Sequence, residues 1–270
     1  MIDLHCHILP GVDDGPRNEA ESLRMAEMAL KDGIRTIVAT PHSHNGLYTN
    51  DQIDIARNCA RLNALVQSLE IPLEILPGAE VRIHAGMDLS LREGRIASLN
   101  GGQRYLLVEL PYNLVPPGTR EVLFQLLAND ITPVLAHPER NEAIQRNPEV
   151  LADLVDRGCL AQLTAMSVTG ELGHAAMACA HLLLQRRLAH VMATDAHDVT
   201  GRPPILSRAV DAVSHLLGDG DAAASLVMNN PRAILNGKPV RLASKGSTTA
   251  KRGWWQRWGD SIGSGSRRRI

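Results

Sequence analysis

The chain has 270 residues, 44% of them hydrophobic, and 28 Lys plus Arg against 29 Asp plus Glu. That is enough apolar material for a substantial core, which excludes a disordered or fibrous chain, and the net charge of −1 gives the whole surface no preference for nucleic acid. The charge is unevenly spread: residues 243–270 carry seven basic side chains against Asp260, a tail of +6 on a body of −7.

In chain order, a short apolar run at 2–4 reads as a first buried strand, and 19–32 as a helix with Leu23, Ala26, Ala29 and Leu30 on one stripe and Gly33 as its stop. A strand at 36–39 leads to a helix at 51–69 carrying Ile55, Cys59, Leu62 and Leu65/Val66, and then to strands at 74–77 and 105–110. Helix 119–129, strand 133–136, helix 147–157 with Gly158 as its stop, strand 160–163, helix 173–187, strand 190–193 and helix 205–217 complete the series. Such alternation predicts parallel strands joined by right-handed crossovers. Seven units in roughly 240 residues suit a closed α/β barrel better than the alternative, an open doubly wound sheet. No uninterrupted apolar run approaches the ~20 residues of a membrane helix, and the chain runs straight into Asp3 and His5 without a basic signal region. Cys6, Cys59, Cys159 and Cys179 are far apart with no CxxC spacing, so they are expected to be reduced core residues of a cytoplasmic protein. The text after Pro239 loses periodicity, which divides the chain into a barrel at 1–242 and an appendage at 243–270. The appendage is expected to lack a fixed structure. Because Trp254, Trp255 and Trp258 lie among its cations, a weak contact with an anionic membrane surface is the sharper expectation.

The chemistry is carried by where His, Asp and Glu fall. His5 and His7 are one residue apart at the end of the first strand and so share a face. His42 follows the second strand, Glu80 the third, Glu109 ends the fourth, His137 follows the fifth, and Asp195 and His197 follow the last. In a parallel barrel those ends meet at one mouth. A single such residue is ordinary. Eight at strand ends would be costly to bury without compensation, which metal ions would supply. Mixed N and O donors without thiolate favour Zn, Mn or Fe, and a shared carboxylate suits ions ~3.5–4 Å apart that activate water or neutralise a phosphoryl group. Arg140 and Arg202 follow His137 and His197 on rim loops, where a guanidinium can grip phosphate oxygens in a fork. His84, His174, His181, His190 and His215 lie in loop, helical or strand-start contexts and read as structural or exposed.

The segments MIDLHCHILPGVDDG, ATPH, PGAEVRI, VELP, VLAHPERN and ATDAHD with a following RPP resemble the polymerase and histidinol phosphatase (PHP) superfamily, and within it the bacterial manganese-dependent protein tyrosine phosphatases of capsule and exopolysaccharide operons. The resemblance spans about residues 1 to 237, and HCHILPGVDDG with AHPERN carries most of its specificity. It implies a distorted TIM-like (β/α)7 barrel and up to three Mn²⁺ ions, with Fe or Zn as alternatives. It implies one ion on His5, His7, Glu80 and Asp195, a second on Glu80, Glu109 and His137, and a third on Asp14, His42 and His197, with Glu80 as the bridge. It further implies phosphate contact by Arg140 and Arg202, and a partner that is the Tyr-rich tail of a membrane tyrosine autokinase. Asp14 or His42 is the candidate proton donor to the leaving group. Two departures stand out: His42 is followed by Ser43 and His44 where the family often has a second His, and TAMSVTG at 164–170 replaces a more glycine-rich loop.

The expected activity is phosphotyrosine hydrolysis on such a kinase, regulating capsule or exopolysaccharide synthesis, with no nucleic-acid partner. A small-molecule phosphomonoesterase of the histidinol-phosphatase kind is the alternative within enzymes, and an open rim against a capped pocket separates the two. A non-catalytic regulatory module is disfavoured, since all nine ligand positions hold competent donors.

Overall fold

The computed structural model describes residues 1–240, so the appendage and the boundary drawn at 242 lie outside the described residues. Nine strand segments occur: β1 Ile2–Cys6, β2 Thr36–Ala39, β3 His42–Ser43, β4 Glu74–Pro77, β5 Glu80–Arg82, β6 Tyr105–Glu109, β7 Thr132–Ala136, β8 Leu160–Thr164 and β9 Val191–Ala193. The helices are α1 Glu19–Lys31, α2 Gln52–Ser68, α3 Met87–Arg92, α4 Thr119–Ala128, α5 Glu142–Arg146, α6 Glu149–Asp156, α7 Ala165–Thr169, α8 His174–Gln185, α9 Ser207–Leu217, α10 Gly220–Val227 and α11 Asn229–Leu235. Gly33 and Gly158 take positive φ just past α1 and α6, the stops that the sequence marked.

Nine segments stand where seven strands were predicted, because the chain pairs again beyond the predicted ends at 39 and 77. Thr40 and Pro41 separate β2 from β3, and Gly78 and Ala79 separate β4 from β5. A proline cannot donate to a ladder, so pairing lapses there. Below the breaks β1, β2 and β4 pair in parallel; above them the order is β3-β5-β6-β7-β8-β9. The ring closes between the last strand and the first, where Asp195 N donates to His5 O at 2.7 Å and His7 N to Ala196 O at 2.8 Å. The result is an α/β barrel with seven strand positions.

Two apolar layers follow from the period of two along each strand. Leu4, Val38, Leu107, Val134, Leu160 and Val191 fill the barrel interior, and Ile234 of α11 plugs its N-terminal mouth. The alternate residues Ile37, Leu106, Val108, Leu135, Ala161 and Met192 pack outward against helix residues such as Met25, Leu62 and Leu123. Continued upward, the inward parity of β5, β6 and β9 reaches Glu80, Glu109 and Asp195. In β1 the parity changes, because the pairing with β2 shifts register between Asp3 and Cys6. Leu4 belongs to the inner cluster and Cys6 to the outer, so two consecutive residues, Leu4 and His5, look inward. Buried Asp3 holds this bulge: its carboxylate accepts from His5 N at 3.3 Å, from Thr194 N at 3.0 Å and from Thr194 Oγ1 at 2.5 Å.

The seam between β8 and β9 contains a histidine that must stay neutral. His190 is 3% exposed and its Nδ1 accepts the Ala161 N–H at 3.1 Å. Burial pushes this imidazole down to about 4. A histidine in the unfolded chain binds its proton near 6.5, so the unfolded state takes up more protons as the pH falls through the window from 6.5 to 4. Stability should therefore be level above that window and decline within it, by up to ~3 kcal/mol from this residue. Urea unfolding at pH 7 and pH 4.5 is expected to show a larger loss in the parent than in His190→Gln; equal losses would show that His190 is not the acid-sensitive group.

Candidate metal centre

Six of the seven strand positions deliver donors to the C-terminal mouth, two each from β1 and β9 and none from β8, and Asp14 comes from the loop after β1. Glu80 Oε2 is the hub: His7 Nε2 lies 3.4 Å from it, His5 Nε2 3.5 Å and His42 Nδ1 2.8 Å, while His137 Nε2 lies 2.7 Å from Oε1. Asp195 Oδ1 stands 3.3 Å from His5 Nε2 and 3.5 Å from His7 Nε2, and the two Nε2 atoms are themselves 3.2 Å apart. Four donors thus converge on one point. A second group forms around Asp14, whose Oδ1 is 3.4 Å from both His42 Nε2 and His197 Nε2; the donor atoms of His7, Asp14, His42 and His197 all lie within 4.8 Å of one another. A third brings His42, Glu80 and Glu109 within the same span. All nine sequence-derived donors therefore lie in one cluster, with His42 close to Glu109 as well as to Asp14.

Carboxylates and imidazoles in the cluster stabilise one another's charged forms. Burial would raise the Glu80 carboxyl, but His5, His137 and His42 outweigh it and hold Glu80 well below the carboxylate range. Burial is likewise opposed at Asp195, by His5, His7 and Arg202, and that carboxyl is also held well below its usual value. Burial pulls His5 and His7 down, yet the carboxylates around them prevail and hold both above the ordinary imidazole value. Glu80 Oε2, Glu109 Oε2 and His42 Nδ1 are buried atoms with no hydrogen-bond partner, because the 2.8 Å approach of His42 to Glu80 does not have hydrogen-bond geometry. Buried donor atoms left without a hydrogen-bond partner around a common centre fit divalent ions.

Several residues that orient the donors were not among the sequence-derived candidates. Asp13 Oδ2 accepts from His7 Nδ1 at 2.6 Å and from His42 N at 3.0 Å, and Gln162 Oε1 accepts from His5 Nδ1 at 2.8 Å. Each contact leaves Nε2 of its histidine free to face the cluster. Gly15 lets the loop bearing Asp13 and Asp14 close over β1: a Cβ there would lie 2.4 Å from His7 O. Arg82 Nε approaches Glu109 Oε2 at 3.0 Å. Adjacent aspartates in a loop look alike by type, so Asp13 was hidden beside Asp14. Gln162 was detectable, as the one amide inside an otherwise apolar strand.

Both arginines reach the cavity at the mouth, held there by Asp195. Arg140 Nη1 donates to Asp195 Oδ2 at 2.7 Å, and Arg202 Nη2 donates to the same oxygen while its Nη1 lies 3.2 Å from His197 Nε2. Neither pairs with Glu139 or Asp198 through its guanidinium. Glu139 is buried and accepts from Thr164 N instead. Both arginines and seven of the nine donors line one cavity of about 180 Å³, beneath which His5 and His7 are fully buried. That is of the order of a cavity holding one benzene ring (~150 Å³), so it admits one small head group at a time.

No thiol competes for the chemistry. All four cysteines are free and buried, and burial pushes Cys59, Cys159 and Cys179 up to about 12 and Cys6 well above its usual value. Of the remaining histidines, His84 stacks on His44 at 4.7 Å and His181 Nε2 contacts Val168 O at 2.9 Å, structural roles as expected. Among the described residues no helix is long and apolar enough to cross a membrane.

Comparison with known proteins gives a consistent picture. The family described as capsular polysaccharide synthesis, CpsB/CapC, matches residues 1–236. The tyrosine-protein phosphatase YwqE of Bacillus subtilis (strain 168) is 41% identical over 202 residues, 75% of this chain and 79% of YwqE. The tyrosine-protein phosphatase CpsB of Streptococcus pneumoniae is 32% identical over 240 residues, 87% of this chain and 98% of CpsB. A solved structure from work on those two proteins, which are described there as unique metal-dependent tyrosine phosphatases, superposes with a TM-score of 0.85 at 36% identity, covering 89% of this chain and 96% of its own.

Proposed function

The chain belongs to the capsular polysaccharide synthesis family CpsB/CapC, and we propose that this metal-dependent protein tyrosine phosphatase acts on the phosphotyrosine tail of a membrane tyrosine autokinase, regulating capsule or exopolysaccharide production from the cytoplasm. The observation that carries the reading is the convergence of His5, His7, His42 and His137 on the single buried carboxylate of Glu80, in a cavity that also presents two arginines.

The proposed ligands are the nine named donors, for up to three Mn²⁺ ions. Ions bound there supply Lewis-acid polarisation of phosphoryl oxygens and lower the pKa of water. The remaining work belongs to the chain. Asp13 and Gln162 fix the tautomers of His7 and His5. Arg140 and Arg202, a quarter exposed and anchored to Asp195, turn their other N–H groups to the equatorial oxygens of the phosphoryl group as its charge spreads. Asp14, exposed at the mouth, and His42 stand on the solvent side and are the candidates to pass a proton to the departing phenolate, a role limited by metal coordination of either and, for Asp14, by His197, which holds its carboxyl well below the carboxylate range. Among the described residues no domain-sized insertion interrupts the loops at the C-terminal mouth, which suits a peptide tail.

Chelation is expected to abolish phosphatase activity and Mn²⁺ to restore it, with a phosphotyrosine peptide hydrolysed faster than histidinol phosphate. Full activity in excess chelator would overturn the metal mechanism, and a preference for histidinol phosphate would overturn the substrate.

A further inference from the structure

The cavity above the donors has one unexplained wall. Tyr112 lines it together with Glu109, His137, Arg140 and Arg202, yet its side chain is 62% exposed. An aromatic ring left in water forgoes the stabilisation that burial would give it, so its place calls for a physical account. The backbone that carries it is firmly held. Asn141 Nδ2 donates to Pro111 O at 2.7 Å and to Leu114 O at 2.9 Å, and Glu142 N donates to Tyr112 O at 2.9 Å. Asn141 is itself 4% exposed, its Oδ1 caps α5 through Ile144 N, and it directly follows Arg140 in the chain. Ring and guanidinium are thus carried by segments that one buried amide ties together.

The other described aromatic rings are engaged or elsewhere. Tyr48 stacks on His42 at 6.0 Å, Tyr105 donates its hydroxyl to Lys238 O at the opposite mouth, and Phe124 lines a separate groove on α4. Tyr112 is the aromatic side chain that remains available to a ligand in the cavity.

We propose that Tyr112 is a specificity-determining residue: it packs against the ring of an aryl phosphomonoester whose phosphoryl group lies between the donors and Arg140, and so favours aryl over alkyl phosphates. This rests on the phosphatase reading above and deepens it. A tyrosine side chain places its ring one ester oxygen from phosphorus, so a ring seated at the rim and a phosphoryl group on the cavity floor can be held together. A phosphoserine methylene presents nothing to the Tyr112 face. Offset or edge-to-face aromatic contact plus the covered area is worth about tenfold in binding.

The experiment uses the full chain loaded with Mn²⁺ and two competitive inhibitors that share a phosphonate head, benzylphosphonate, whose methylene stands in for the ester oxygen, and methylphosphonate. In Tyr112→Ala, benzylphosphonate inhibition is expected to weaken about tenfold while methylphosphonate stays within about twofold, and Tyr112→Phe should keep the parental ratio. The proposal is overturned if the two inhibition constants move together, which marks a structural role, or if neither moves. Hydrolysis of a phosphotyrosine peptide by the parent is measured alongside. Its absence would sink the phosphatase reading itself, whereas parental hydrolysis with an unchanged inhibitor ratio would sink the role of Tyr112 alone.

Discussion

Replacing Glu80 by Gln is expected to lower kcat/KM by roughly 10³-fold and to remove more than one metal ion per chain. Both oxygens of this carboxylate are engaged, Oε2 near His5, His7 and His42 and Oε1 near His137, and every neighbour is a nitrogen. An amide keeps the shape but supplies one acceptor in place of two, and its NH₂ group faces imidazole nitrogens that should be turned toward cations. Glu109→Gln removes charge from a residue with fewer such contacts and a compensating neighbour in Arg82, so roughly a tenfold to hundredfold loss is expected there. Metal content by mass spectrometry, read beside the kinetics, checks the order. Retention of every ion in Glu80→Gln would remove the proposed bridging role.

Arg140→Ala and Arg202→Ala are each expected to reduce kcat/KM by roughly 2–4 kcal/mol of transition-state stabilisation, with Lys a poor substitute at either position. Reading the sequence alone leads one to expect that metals stay bound in both. Structure supports that for the single variants and gives the reason: either arginine alone still occupies Asp195 Oδ2, so Oδ1 keeps its aim at His5 and His7. The double variant frees Oδ2 and should lose metal as well as rate. A single variant that hydrolyses phosphopeptide at the parental rate would reassign its arginine to holding Asp195.

The barrel was legible because parallel strands buried on both faces read as apolar runs, and the donors because they stand where those runs end. Helices α3, α5 and α7, of six residues or fewer, are too short to develop a periodic stripe. In α10 and α11 the signal was masked by the Gly-Asp-rich entry at 218–221 and by Pro231. The short segments β3 and β5, beyond Pro41 and Gly78, were missed because two or three residues that include His42, Ser43, Glu80 and Arg82 make no apolar run. Asp13 orients His7 and the backbone of His42 through contacts that leave no pattern along the chain, whereas Gln162 was marked by its place in an apolar strand.

The register shift in β1 has a bearing on how an H-x-H signature is to be understood. Spacing guarantees that His5 and His7 travel together; it says nothing about whether they travel toward the axis or away from it. Strict alternation would put them opposite Ile2 and Leu4, out among the helices, and turn Cys6 inward in their place. One extra residue, stapled by Asp3 to Thr194, works like a shift of reading frame within the strand, so that the same letters spell an oily plug at one end and a ligand pair at the other. Transplanting the motif to another barrel without the bulge and its aspartate would carry the right side chains to the wrong side of the wall.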